Sequence, residues 1–286
     1  MAIKQRYAYY PGCSLETTSE EYNRSLLEVC RALGLELTEI PDWICCGASS
    51  AHMTDYWLAH ALAAQNLALA EKMGLDIAVA CPACFQRLKS TQQEAGGNPE
   101  LAERLREQIG WTGEGKHQIR HILDIIYSDV GIEAIKEKVV KPLEGLKVAC
   151  YYGCYLVRPP ELTGFDDPEN PQLMDRVVEA TGAEALDWDG KVCCCGGSLS
   201  LGEKDLTVKL VSDIFDAAQA VGAEAVVTAC PLCQINLETR QGSESPLPVF
   251  YFTELLGLAM GLPAGSWLKK HLINPSRLLK AHRLSV

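Results

Sequence analysis

One set of cysteine motifs is written twice in this chain at the same spacing, and that repetition restricts the fold more than any other feature. Cys45-Cys46-Gly47 returns as Cys194-Cys195-Gly196, and Cys81-Pro82-Ala83-Cys84 returns as Cys230-Pro231-Leu232-Cys233, both displaced by 149 residues. Upstream, Tyr10-Pro11-Gly12-Cys13 is answered by Tyr152-Gly153-Cys154, with eight more residues before the second vicinal pair. The surplus falls around residues 158–172, rich in Pro, Asp and Asn, and reads as a loop. Downstream, residues 121–126 echo residues 252–256. A repeat of domain size implies two copies of one folding unit. The division is expected near residues 142–145, giving one domain over 1–143 and a second over 144–286.

Local patterning reads alike in each copy. Residues 7–10, 35–40 and 76–80 have the apolar character of strands. Residues 20–33 and 56–73 have helical periodicity and stop at Gly34 and Gly74. In the second copy, strands are expected at 147–150, 184–186 and 225–229, and helices at 173–181 and 206–221 before Gly182 and Gly222. Strands alternating with helices predict an α/β fold: two pseudo-symmetric repeats, each a small parallel sheet with flanking helices. The cysteine motifs then sit just past the carboxyl ends of strands, the edge where open α/β sheets hold their ligands.

Charge and hydropathy remove several classes. The net charge of −11 lacks the basic footprint of a nucleic-acid binder. No apolar run approaches the ~20 residues that cross a bilayer, so membrane insertion is not expected. The first residues carry two cations but no apolar signal core, and a cytoplasmic location is expected. Thirteen cysteines in such a setting point to metal or redox chemistry rather than structural disulfides.

Each copy supplies five motif cysteines: Cys13, Cys45, Cys46, Cys81 and Cys84, then Cys154, Cys194, Cys195, Cys230 and Cys233. A lone CxxC would fit zinc, a redox dithiol or chance. Five thiols overfill a tetrahedral zinc, and adjacent cysteines diverge too far to suit one small ion. Iron–sulfur clusters take all-thiolate shells, and an ordinary cubane uses four. A fifth thiolate therefore implies an unusual cluster or a spare nucleophile. Proline after Cys81 and Cys230 stiffens each turn, and glycine after each vicinal pair lets the backbone approach a ligand.

These residues resemble the cysteine-rich CCG domain, and a tandem pair without further domains resembles the B subunit of heterodisulfide reductase. The opening Tyr9-Tyr10-Pro11-Gly12-Cys13-Ser14-Leu15-Glu16 is closer to bacterial members. The resemblance covers nearly the whole chain. It implies that each set of five cysteines holds a non-cubane 4Fe–4S cluster, and that a disulfide is reduced, or formed, between the two clusters. The chain would be the catalytic iron–sulfur oxidoreductase subunit of a multisubunit complex; an electron-relay or scaffold subunit is the alternative. It contains no Cys-x2-Cys-x2-Cys-x3-Cys run. Electrons are therefore expected from a ferredoxin-like iron–sulfur subunit and a flavin-containing subunit of the same complex.

Residues 193–195 are three consecutive cysteines. The 149-residue displacement and the following Gly196 select Cys194 and Cys195, with Cys193 as the alternative ligand. Cys30, on a helix, and Cys150, ending a strand, are expected to pack as small hydrophobes. Two residues are catalytic candidates. His52, just after the first vicinal pair, could deliver a proton to a thiolate product, or cap the next helix. Arg158 could hold an anionic arm of the substrate, or be a surface arginine. The tail, residues 266–286, carries five Lys/Arg, no Asp/Glu and several apolar side chains. It is expected to dock on a partner or on the chain itself rather than on a membrane.

Overall fold

The computed structural model describes residues 5–48, 51–113, 117–242 and 246–284. Two four-stranded sheets form, each wholly parallel. The first comprises β1 (Arg6–Tyr10), β2 (Glu36–Glu39), β3 (Ile77–Val79) and β4 (Ile119–His121), in the order β2-β1-β3-β4. The second comprises β5 (Lys147–Tyr151), β6 (Glu184–Ala185), β7 (Ala225–Thr228) and β8 (Val249–Tyr251), in the order β6-β5-β7-β8. Registers match as well: Val79 pairs with His121 in the first sheet, and Thr228 with Tyr251 in the second.

The helices of the first repeat that frame the site are α1 (Glu20–Ala32), α2 (Tyr56–Met73), α3 (Pro82–Gly97), α4 (Pro99–Ile109) and α5 (Ile122–Ile125). Those of the second are α6 (Leu173–Glu179), α7 (Lys204–Ala220), α8 (Pro231–Arg240) and α9 (Phe252–Ala259). Their ends follow from local chemistry. In α1, Glu20 and Glu21 in the first turn and Arg31 in the last complement the helix dipole. The Asp55 side chain caps α2 by accepting from Leu58 N–H at 2.6 Å, and Gly74 closes that helix at φ +66°. In α3 and α8 the CPxC proline occupies the first turn, where its missing N–H costs nothing.

Strand alternation divides the interior. Tyr7 and Tyr9 of β1, with Val148 and Cys150 of β5, face one core shared by both repeats. Ala8 and Tyr10 face a separate core belonging to the first repeat, and Ala149 and Tyr151 face one belonging to the second. In the shared core α1 packs on α9, and α5 packs on α6, as a pseudo-twofold requires. The Ser25 and Thr253 hydroxyls meet there at 2.7 Å. Cys30 and Cys150 are buried in this shared core, away from the motif loops.

The sequence reading missed β4, β8 and the helices that begin at the CPxC prolines. β4 and β8 are three residues each, too short to show a period. The tail packs on its own chain. Trp267 is fully buried, and a Cβ at Gly257 would lie 2.5 Å from its ring, so only glycine admits this packing. Lys270 pairs with Glu20 of the first repeat. His271 sits buried between Glu238 at 2.8 Å and Glu254 at 2.9 Å. Burial alone would lower its pKa, but the Glu254 charge and the bonds to both carboxylates push it up to about 10.

Candidate metal centres

In the first repeat, β1 ends at Tyr10 and the chain turns through Pro11 and Gly12 to Cys13. Gly12 has φ +73°, and a Cβ there would come within 2.9 Å of Cys84 Sγ. Glycine thus lets this loop close onto the CPxC turn. The vicinal pair is aimed by a clamp on the residue before it. The Tyr10 hydroxyl donates to Ile44 O at 2.7 Å, while Ile44 N–H donates to Asn66 Oδ1 of α2 at 2.8 Å. Cys46 Sγ then lies 3.2 Å from Cys84 Sγ, and Gly47 N–H points at Cys45 Sγ at 3.4 Å. Cys46, Cys81 and Cys84 are buried; Cys13 and Cys45 are exposed.

The second repeat reproduces this arrangement. Gly153 has φ +67°, and its Cβ would lie 3.0 Å from Cys233 Sγ. The Tyr151 hydroxyl donates to Cys193 O at 2.6 Å, as Tyr10 does to Ile44 O. Cys195 Sγ lies 3.7 Å from Cys233 Sγ, Gly196 N–H points at Cys194 Sγ at 3.3 Å, and Cys233 N–H at Cys230 Sγ at 3.4 Å. Cys193 therefore stands where the first repeat has Ile44. It borders a cavity of about 290 Å³ with Asp189, Leu210, Asp213 and also Cys194. Cys154, Cys194, Cys195, Cys230 and Cys233 line a different cavity, of about 110 Å³, so Cys194 lines both.

The thiols share protons unevenly. Hydrogen bonds from Cys45 and Cys84 lower the Cys46 thiol to about 3 against the penalty of burial. A bond from Cys154 lowers Cys194 to about 6, and one from Cys233 lowers Cys195 to about 7. The donors Cys45, Cys84, Cys154 and Cys233 move up, chiefly through the same bonds. Neighbouring sulfurs thus cannot all ionise together without added positive charge, which bound metal supplies. Among the described residues, no three His, Cys, Asp or Glu side chains converge on a point fit for a single ion. The donor set fits a many-sulfur cluster, with two glycines clearing its approach, better than one tetrahedral zinc.

The two centres adjoin. Pro82 of the first CPxC turn lines the cavity of the second centre. The Tyr22 hydroxyl lies 3.3 Å from Ala80 O and 3.2 Å from Ala229 O, the carbonyls directly before Cys81 and Cys230. From α3, Gln86 Nε2 donates to Tyr155 O at 2.8 Å and to Arg158 O, holding the Cys154 loop. Lys89 Nζ donates to Thr163 O at 2.9 Å and lies over the Phe85 ring, so it bridges the repeats.

The structure gives both catalytic candidates defined surroundings. The Arg158 guanidinium is engaged within the loop insertion, donating to Pro168 O at 3.1 Å and Glu169 at 2.7 Å. It fastens that loop through Nε and Nη2. His52 lies on the short turn Ala51–Thr54, with Nδ1 buried and unpartnered. Asp55, not His52, caps the next helix. Sequence reasoning also missed a buried ion pair. Lys191 Nζ lies 2.8 Å from Asp175, which accepts from the Tyr152 hydroxyl at 2.6 Å. The Lys191 carbonyl accepts from Tyr152 and Gly153 N–H, next to Cys154. The signal was a lysine two residues before a cysteine run, indistinguishable from a surface lysine without the fold.

Residues 7–89 and 148–238 each match the cysteine-rich domain CCG. The chain is 33% identical over 270 residues to the 8-methylmenaquinol:fumarate reductase membrane anchor subunit of Wolinella succinogenes, covering 92% of this chain and 94% of that one. It is 30% identical over 271 residues to the B subunit of the ferredoxin:CoB-CoM heterodisulfide reductase of Methanosarcina mazei, covering 90% and 89%. A protein of Archaeoglobus profundus described as like the heterodisulfide reductase B subunit is 30% identical over 273 residues, covering 90% and 91%. Among solved structures, a hypothetical protein from Helicobacter pylori superposes with TM-score 0.68 at 12% identity, covering 94% of this chain and 52% of that one. That likeness concerns the fold alone. No helix among the described residues is long and apolar enough to cross a membrane.

Proposed function

This chain belongs to the tandem CCG cysteine-rich family that includes the B subunit of heterodisulfide reductase, and from that membership we propose that it is the catalytic subunit of its reductase complex, cleaving a disulfide between two iron–sulfur centres. The ten motif cysteines would hold two non-cubane 4Fe–4S clusters, which when bound supply electrons and sulfur-capturing iron. The observation that carries the reading is the juxtaposition of the centres: one hydroxyl, that of Tyr22, reaches the carbonyl before each CPxC turn.

The reaction balances as one disulfide, two electrons and two protons giving two thiols. The chain's own residues do the positioning. Gly12 and Gly153 let the Cys13 and Cys154 loops close on the CPxC turns, and Tyr10 and Tyr151 orient the vicinal pairs. Holding both centres at fixed separation presents one sulfur of the disulfide to each, which is catalysis by placement. His52 is the proposed proton donor at the first centre. The electrons come from a ferredoxin-like iron–sulfur subunit and a flavin-containing subunit, in a cytoplasmic complex.

A second reading, electron relay, draws on the Wolinella relative, whose name places it in a fumarate reductase. One experiment separates the two. Anaerobically purified chain is analysed for metal and sulfide, then assayed for disulfide reduction with an artificial donor. The catalytic reading expects about eight irons per chain and turnover without partners. Iron without turnover supports the relay, and zinc with negligible iron contradicts both.

A further inference from the structure

Tyr22 projects from α1 and is fully buried. Its ring stacks on Tyr251 of β8 at 4.1 Å between centroids, with planes 3° apart. Phe252 packs edge-on at 6.3 Å. A first-repeat side chain is thus seated by the second repeat. Its hydroxyl serves Ala80 O and Ala229 O at 3.3 and 3.2 Å. A phenol has one proton to give, so the two carbonyls share it, and both distances exceed the usual O–H···O length.

The two carbonyls are not equally provided for. Ala80 O also accepts from His121 Nε2 at 2.8 Å. Tyr251 holds the register position in the second sheet that His121 holds in the first. Its hydroxyl goes instead to Gln234 Oε1 at 3.4 Å. The first CPxC turn therefore has a donor from its own repeat, while the second takes its donor from the other repeat.

We infer that Tyr22 is a positioning residue whose hydroxyl ties the two CPxC turns together and sets the place of the second centre against the first. A disulfide offers two sulfurs at one bond length, so capture at both centres depends on that placement to a fraction of an ångström. The inference rests on the two-cluster reading above and adds the residue that fixes the spacing.

Tyr22→Phe removes one oxygen and keeps the stack; Tyr251→Phe is the matched control, losing a hydroxyl outside the bridge. The readouts are iron content, the dipolar coupling between the two reduced centres by pulsed EPR, and amide exchange over residues 80–88 and 229–237. Tyr22→Phe should keep its iron, broaden the dipolar distance distribution, speed exchange over 229–237 more than over 80–88, and cut disulfide turnover at least tenfold. Tyr251→Phe should leave the dipolar distribution unchanged. The inference is overturned if Tyr22→Phe matches the parent in coupling and exchange, if both segments loosen equally, or if Tyr22→Phe fails to fold while Tyr251→Phe folds. A parent with two coupled centres and no disulfide turnover would sink the functional reading and leave the Tyr22 result standing, because coupling and exchange do not depend on turnover.

Discussion

The two repeats hold their cysteines alike and support them differently. Each vicinal pair is aimed by a tyrosine hydroxyl on the preceding backbone carbonyl, Tyr10 to Ile44 O and Tyr151 to Cys193 O. Each loop closes through a left-handed glycine against a CPxC sulfur. Behind these shared parts the supports diverge. The second centre has the longer loop, fastened by Arg158 and Glu169, and a buried Lys191–Asp175 pair. At the position 149 residues before Lys191 stands Asp42, exposed, in a left-handed turn. Thiol placement follows from where parallel strands end, so both copies keep it. The surrounding supports only have to be satisfied, so each copy has found its own.

The largest expected contrast concerns the cysteines themselves. Cys46→Ser and Cys195→Ser, equivalent positions, should each lose iron at one centre and abolish disulfide turnover. Cys193→Ser, at the Ile44 position, should keep both. Iron analysis of the three variants checks this, and iron loss in Cys193→Ser would shift the ligand register by one residue.

Next comes the buried pair. Lys191→Met strands the Asp175 carboxylate and should cost about 3–5 kcal/mol, as breaking one side of a buried ion pair does. Asp42→Asn at the matching place, which keeps a residue tolerant of the left-handed turn, should stay within about 0.5 kcal/mol. Urea titration of both variants compares the supports directly, and equal costs would erase the asymmetry.

The tail gives a pH test of a smaller, graded effect. The folded pKa of His271 is raised to about 10 from an ordinary value of 6.5. A raised pKa contributes its full stability below about 6.5, and this contribution is lost as pH rises toward 10. At ~1.4 kcal/mol per pKa unit the loss is bounded at a few kcal/mol. Denaturation midpoints should fall between pH 7 and 10, and His271→Gln should flatten that slope. Smallest of all, Cys30→Ser in the shared core should cost about 1 kcal/mol with iron unchanged.

Much of this was legible in the chain. The repeat, the parallel α/β class, the helix over residues 56–73 and the strands that carry the motifs all follow from period, glycine stops and motif spacing. Cys193 was ambiguous because three cysteines in a row have no internal register; the Tyr151 bond to its carbonyl agrees with the 149-residue displacement in matching it to Ile44. The loop bond of Arg158 was not legible because its partner, Glu169, lies eleven residues on in an irregular loop. Tyr22 left no trace, since its role exists only where the two repeats meet and a tyrosine on an amphipathic helix reads as ordinary core. The basic tail takes the second of its two expected places, its own chain, and only the fold shows the partners: His271, Trp267 and Lys270 are taken up by buried carboxylates, Gly257 and Glu20.

The central claim is that the two centres serve one substrate molecule. A Cys81→Ala chain that loads only the second centre, assayed for disulfide cleavage per chain against the parent, tests it most directly. The account predicts about half the parent's iron and no turnover, because one sulfur of the disulfide is left without a partner. Half the iron with about half the turnover would show two independent sites and contradict it.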